Sequence, residues 1–70
     1  MNTIHPLRRI RADKGLTQLQ LALAAGTSRE MISLLENGKR PEQRTADKVA
    51  AALGVEPLAI WPEYETFWRG

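Results

Sequence analysis

The sequence contains no cysteine, few aromatic residues and no long apolar run. Without cysteine the chain can form neither disulfides nor thiolate–metal sites. No apolar stretch approaches the roughly 20 residues that a membrane-spanning helix needs, and the first nine residues lack the apolar region of a secretory signal. We therefore expect a cytoplasmic protein with no membrane partner.

Size and composition exclude further classes. The 70 residues are 43% hydrophobic and 26% charged, the balance of one small soluble domain. Such a chain is too short to enclose a substrate in a deep, supported pocket. The single histidine, His5, has no ligand set around it, and neither a Ser-His-Asp spacing nor a phosphate-binding glycine loop is present. We expect no enzymatic activity, no cofactor and no metal.

Charge is distributed unevenly along the chain, although the net charge is only +2. Residues 1–44 contain eight Lys and Arg against four acidic residues, whereas residues 45–70 contain two against four. A basic body with an acidic C-terminal part favours one face that binds a polyanion and another with a different task.

Glycine and proline divide the sequence into five helical segments, and no run alternates with the period of a strand. Thr17 and Gln20 have the spacing of a capping box, and Ser28 is a strong N-cap. We expect an all-α, compact five-helix domain with helices near 6–14, 18–25, 29–36 and 43–53 and a short one from residue 57.

The second and third segments have the character of a helix-turn-helix. They are joined by a short turn containing Gly26, which allows a steep crossing. Ile32 and Leu35 give the third segment a narrow apolar stripe, so its polar N-terminal end faces outward. A helix held in this way suits insertion into the major groove of DNA.

The order and spacing of several motifs resemble the phage-repressor/Cro-type (Xre-like) helix-turn-helix family over about residues 7–60. These motifs are Gly15-Leu16-Thr17-Gln18, Leu21-Ala22, Ala25-Gly26-Thr27-Ser28, Ile32-Ser33, Leu35-Glu36-Asn37-Gly38-Lys39-Arg40-Pro41 and Ala52-Leu53-Gly54-Val55. The resemblance implies a DNA-binding domain over residues 1–60 and an aromatic tail over 61–70. It also implies a transcriptional regulator of double-stranded DNA, expected to act as a homodimeric repressor on a palindromic operator.

The resemblance assigns roles to individual residues. It implies base contacts by the outward residues of the third helix, namely Arg29, Glu30, Ser33 and Leu34. Arginine can donate twice to guanine, and glutamate can accept from cytosine. It implies phosphate contacts by Gln18, Ser28, Asn37, Lys39, Arg40 and Arg44. In the family, an acidic residue at the position of Glu36 pairs with a basic residue of the first helix. The resemblance therefore implies a structural ion pair between Glu36 and Arg11.

All four aromatic residues lie within eight positions of the tail: Trp61, Tyr64, Phe67 and Trp68. One interpretation is a lid folded over the domain's own core. The other is a dimer interface, because aromatic side chains at this density are typical of interfaces.

Two rival functions remain open. An antitoxin of this family binds DNA and also covers a protein toxin, and Leu19 and Leu23, four residues apart, offer a second surface with the aromatic tail. Alternatively, a pure protein-interaction module keeps the fold without DNA binding, since fold alone does not fix function. Glu30 and Leu34 favour that module. The residues that oppose it are Gln18, Arg29, Lys39 and Arg40.

Overall fold

The computed structural model describes residues 4–64 and contains five α-helices in that range. They are α1 (Pro6–Asp13), α2 (Gln18–Ala25), α3 (Arg29–Glu36), α4 (Gln43–Leu53) and α5 (Pro57–Ile60). Residues 4–64 contain no strand, and the expected all-α fold is confirmed. Within the same range, each helix is too short or too polar to cross a bilayer.

Local hydrogen bonds fix the turn between α2 and α3. At the start of α2, the Thr17 hydroxyl accepts from the Gln20 backbone N–H at 3.0 Å, and Gln20 Oε1 accepts from the Thr17 N–H at 2.8 Å. Gly26 ends α2 with φ of 71°, a left-handed conformation that favours glycine. Ser28 Oγ then accepts from the Met31 N–H at 3.1 Å and starts α3. The predicted capping box and N-cap are therefore confirmed.

The core joins all five helices. α2 packs against α3 and α4, while α5 packs against α4 and α1. On α3, Ile32 and Leu35 are fully buried. Because these two residues lie on one stripe of α3, the opposite side of the helix faces the surface. The largest fully buried side chains are Trp61, Leu7, Leu21, Ile32, Leu35, Ile60 and Val49.

Trp61 belongs to this core, which agrees with the lid interpretation and corrects the assignment of Trp61 to the dimer interface. Its side chain is 2% exposed, and its ring lies 6.5 Å from the ring of His5, between centroids. A side chain buried in its own domain is not available to a second copy. The core therefore extends beyond the expected boundary at residue 60, and the lid interpretation describes Trp61.

Tyr64 is half-buried against the same core, and its hydroxyl donates to Asp47 Oδ1 on α4 at 2.7 Å. Gln43 Nε2 donates to the same hydroxyl at 3.3 Å. The acceptor Asp47, with burial adding to it, raises the pKa of Tyr64. The remaining expected interface residues, Phe67 and Trp68, lie outside the described residues.

His5 occupies the N-cap of α1, where its Nδ1 accepts from the Leu7 backbone N–H at 3.0 Å. Burial lowers the pKa of His5, although the nearby charges of Glu63 and Glu36 raise it in part. A neutral ring suits the cap, because protonation of Nδ1 would remove the acceptor.

Acid is therefore expected to weaken the fold through His5. The unfolded chain, with a His5 pKa near 6.5, binds more protons than the folded chain as the pH falls below that value. The contribution of His5 to the free energy of unfolding is complete above 6.5 and is lost as the pH falls toward the folded-state pKa. Urea unfolding between about pH 7.5 and about pH 5 measures this loss.

The variant His5→Asn is the matched control, because asparagine caps helices well and does not titrate. Its unfolding free energy should stay level over the same pH range. Equal slopes for both proteins would show that His5 does not couple folding to pH.

Candidate nucleic-acid interface

The outward side of α3 gathers the expected base-contact residues on one surface. Arg29 and Glu30 are exposed in the first turn, Ser33 is half-buried and Leu34 is 47% exposed. These four residues and Gln18 from the start of α2 line one depression of about 540 Å³. The structure therefore combines donors, acceptors and an apolar contact on a helix whose other side is held in the core.

Beneath this surface, Arg11 and Glu36 form an ion pair between α1 and the end of α3. Arg11 Nε lies 2.5 Å from Glu36 Oε2, and a terminal guanidinium nitrogen donates to Oε1 at 3.2 Å. The other terminal nitrogen donates to the Leu16 carbonyl at 2.7 Å. The two side chains are only 14% and 5% exposed.

Gln18 extends the ion pair to α2, because its Nε2 donates to Glu36 Oε1 at 3.0 Å. Burial alone raises the pKa of Glu36, but hydrogen bonds from Arg11 and Gln18 and the charges of Arg11 and Arg8 outweigh it and lower this pKa. The carboxylate is thus ionised at neutral pH and connects three helices.

The expected phosphate-contact residues occupy several environments. An amide nitrogen carries two hydrogens, so Gln18 keeps one for an anion after its bond to Glu36. Asn37 Nδ2 likewise donates to the Ser33 carbonyl at 2.8 Å and keeps a second hydrogen. Ser28 is exposed, and its hydroxyl hydrogen is not used by the bond to Met31. These side chains are held in place before any ligand arrives.

The other three expected phosphate contacts lie after α3. Lys39 and Arg40 are exposed in the loop that buried Pro41 anchors, and Arg44 is exposed in the first turn of α4. None of them lines the depression that Arg29 and Gln18 share. They therefore lie outside that depression, in the part of the chain that follows α3.

Sequence reasoning counted Arg8 only as a charge. In the structure Arg8 is exposed on α1 and lines a depression together with Gln18 and Asn37. Its spacing of three from Arg11 was the available signal, since residues three apart share a helix face.

The geometry agrees with comparison to known proteins. A profile of the helix-turn-helix family matches residues 7–60, which is most of the chain. The chain belongs to the Xre/Cro-like helix-turn-helix family. As a member of this family it is a DNA-binding transcriptional regulator.

Two relatives have similar sequences. An uncharacterized HTH-type transcriptional regulator of Archaeoglobus fulgidus is 40% identical over 66 residues, covering 90% of this chain and 94% of the relative. The uncharacterized HTH-type transcriptional regulator y4dJ of Sinorhizobium fredii is 44% identical over 53 residues, covering 74% of this chain and 69% of the relative.

Proposed function

We propose that this helix-turn-helix protein binds one double-stranded DNA sequence specifically, as a homodimer on a palindromic operator, and represses transcription by occupying a promoter. The observation that carries the proposal is the shared surface of Gln18 and the outward residues of α3. It combines groups that can recognise base edges with a helix N-terminus that suits a phosphate.

Specificity comes from α3 in this proposal. Arg29 donates to guanine O6 and N7, and Glu30 accepts from cytosine N4. Ser33 bonds a base, and Leu34 packs on a thymine methyl group. The phosphate contacts from Gln18, Ser28, Asn37, Lys39, Arg40 and Arg44 set the register and supply much of the affinity.

The small size of this surface supports a homodimer. One α3 reads only a few base pairs, and two copies on half-sites about one helical turn apart double the contact. Tyr64 lines a depression of about 430 Å³ with Pro57 and Leu58 of α5. Asp47 and Glu56 also line this depression, and Leu58, 47% exposed, is its most exposed large apolar side chain. We assign Tyr64, Phe67 and Trp68 to the dimer interface because the sequence concentrates its aromatic residues there.

Selection from a random duplex pool tests the proposal. The protein should enrich a palindrome, and binding of the enriched duplex should exceed that of bulk DNA at two salt concentrations. Sedimentation of the complex should give two chains per duplex. Recovery of no preferred sequence would reject specific recognition, and one chain on a non-palindromic site would reject the dimer.

Arg29→Ala is expected to weaken binding to the selected operator by about 1–3 kcal/mol and to relax preference at one base pair. The cause is the loss of a bidentate contact to guanine. Affinity measured on the operator and on all single-base variants checks this result. Lys39→Ala is the control, because loss of a phosphate contact weakens all duplexes alike. If Arg29→Ala also weakened all duplexes equally, Arg29 would not read a base.

A second candidate function is that of an antitoxin. The observation that favours it is the exposure of Leu19 and Leu23 on α2, at 53% and 72%. Large apolar side chains on one helix face are typical of protein interfaces. A neighbouring gene for a small toxin whose product copurifies in a defined ratio would support this function. The absence of such a gene from the operon that encodes this protein would argue against an antitoxin function.

A further inference from the structure

A second depression lies where α1, α2 and the end of α3 meet. It has a volume of about 360 Å³ and is lined by Arg8, Arg11, Gln18, Glu36 and Asn37. We propose that Arg8, with Gln18 and Asn37, binds one backbone phosphate of the DNA duplex. The inference rests on the proposed function and adds α1 to the DNA-binding surface.

Arg8 is the cation of this depression that has donors to offer. It makes no hydrogen bond or ion pair within residues 4–64. Arg11, by contrast, uses all three guanidinium nitrogens on Glu36 and the Leu16 carbonyl. A guanidinium carries five N–H groups in a planar fork that matches phosphate oxygens.

The charge balance of the depression suits an anion despite the presence of Glu36. The carboxylate is 5% exposed and is already bonded by Arg11 and Gln18. Two arginines against one glutamate leave an excess positive charge, carried by exposed Arg8. The remaining amide hydrogens of Gln18 and Asn37 add neutral donors beside it.

Gln18 connects this depression to the reading surface. Its side chain lines both the depression with Arg8 and the depression with Arg29. A phosphate held by Arg8 and Gln18 therefore lies next to the bases that face α3. Such a contact positions α1 on the backbone and fixes the depth at which α3 enters the groove.

The chain provides a matched control in the next residue. Arg9 is also exposed on α1 but lines neither depression, because a helical step turns it away from Arg8. Arg8→Ala and Arg9→Ala remove the same charge from adjacent positions. Because the charge of Arg8 also favours the ionised Glu36 carboxylate, Arg8→Ala is expected to be slightly less stable than Arg9→Ala. Urea unfolding of both variants therefore fixes conditions in which both are fully folded, and binding is compared there.

The test measures binding of the full chain to the selected operator over a range of salt concentrations. Arg8→Ala should lose on the order of tenfold in affinity and reduce the salt slope by about 0.9. It should weaken operator and random duplex alike, whereas Arg9→Ala should retain nearly the wild-type slope. Equal effects of the two variants would overturn the inference.

Duplexes that carry one neutral methylphosphonate identify the phosphate. One position should weaken the wild type but leave Arg8→Ala unaffected, and Gln18→Ala should lose sensitivity at that same position. Different positions for Arg8 and Gln18 would overturn the shared site. In a further measurement, inorganic phosphate competes with the duplex at constant ionic strength. If phosphate displaced the duplex from the wild type but not from Arg8→Ala, and no methylphosphonate position weakened binding, the depression would be a site for a free anion and the inference would be overturned.

The experiments distinguish a wrong phosphate site from a wrong proposed function. If the wild type selects no palindrome, the proposed function fails whatever Arg8 does. If the wild type binds its operator specifically while Arg8→Ala and Arg9→Ala behave alike, only the phosphate site at α1 fails.

Discussion

Glu36→Ala should lower the free energy of unfolding by about 2–3 kcal/mol, below the ~3–5 kcal/mol for breaking one side of a fully buried ion pair, because this pair is partly buried. The carboxylate is 5% exposed and holds both Arg11 and Gln18. Its removal leaves the 14%-exposed Arg11 charge without its partner. A chain of this size has only about 4–10 kcal/mol of stability, so a large part of the fold is at risk.

Urea unfolding measures this loss of stability, and two further variants serve as comparisons. Glu42→Ala removes an exposed carboxylate that makes no cap hydrogen bond and should cost less than about 1 kcal/mol. The double replacement Arg11→Met and Glu36→Leu removes both charges and should be more stable than Glu36→Ala alone. A loss for Glu36→Ala as small as that for Glu42→Ala would contradict a structural role of the pair.

The fold could be predicted from local signals. The capping box of Thr17 and Gln20, the N-cap Ser28 and the terminating Gly26 each act within four residues. Such short-range hydrogen bonds are determined by neighbours in the sequence, so the helix ends follow from the chain itself. The apolar stripe of Ile32 and Leu35 similarly predicted which side of α3 faces the core.

The candidate site was less accessible to sequence reasoning because it depends on contacts between distant segments. The bond from Gln18 to Glu36 spans eighteen positions, and the depression with Arg8 needs three helices in place. The family resemblance indicated the Arg11 and Glu36 pair but gave Gln18 only a phosphate role. Arg8 had no motif of its own, and its helical spacing to Arg11 acquires meaning only beside α3.

Trp61 shows the same limit for packing. The high density of aromatic residues predicts that they contact an apolar surface. It does not predict whether that surface belongs to the same domain or to a second copy. Trp61 follows α5, which packs against α4 and α1, and its ring lies near that of His5, 56 positions away in the sequence. Only the tertiary arrangement distinguishes a core residue from an interface residue.

Trp61→Ala is therefore expected to lower the free energy of unfolding by about 3–5 kcal/mol, the cost of deleting a buried aromatic side chain. Trp61 is only 2% exposed, so truncation to alanine leaves a cavity in the core. Because the contact lies within one chain, the loss should be the same at low and high protein concentration. Urea unfolding at two concentrations of protein checks both the size and the concentration dependence.

Trp61→Phe and Leu58→Ala are the controls for this prediction. The indole Nε1 finds no acceptor within residues 4–64. Phenylalanine keeps a ring and removes that unpaired donor, and the removal offsets part of the free energy lost with the smaller side-chain volume. Trp61→Phe should therefore lower the free energy of unfolding much less than Trp61→Ala does. Leu58 is 47% exposed on α5, and its truncation should cost far less than that of Trp61. A Trp61→Ala protein that unfolds at the wild-type urea concentration but sediments as a monomer would return Trp61 to the dimer interface.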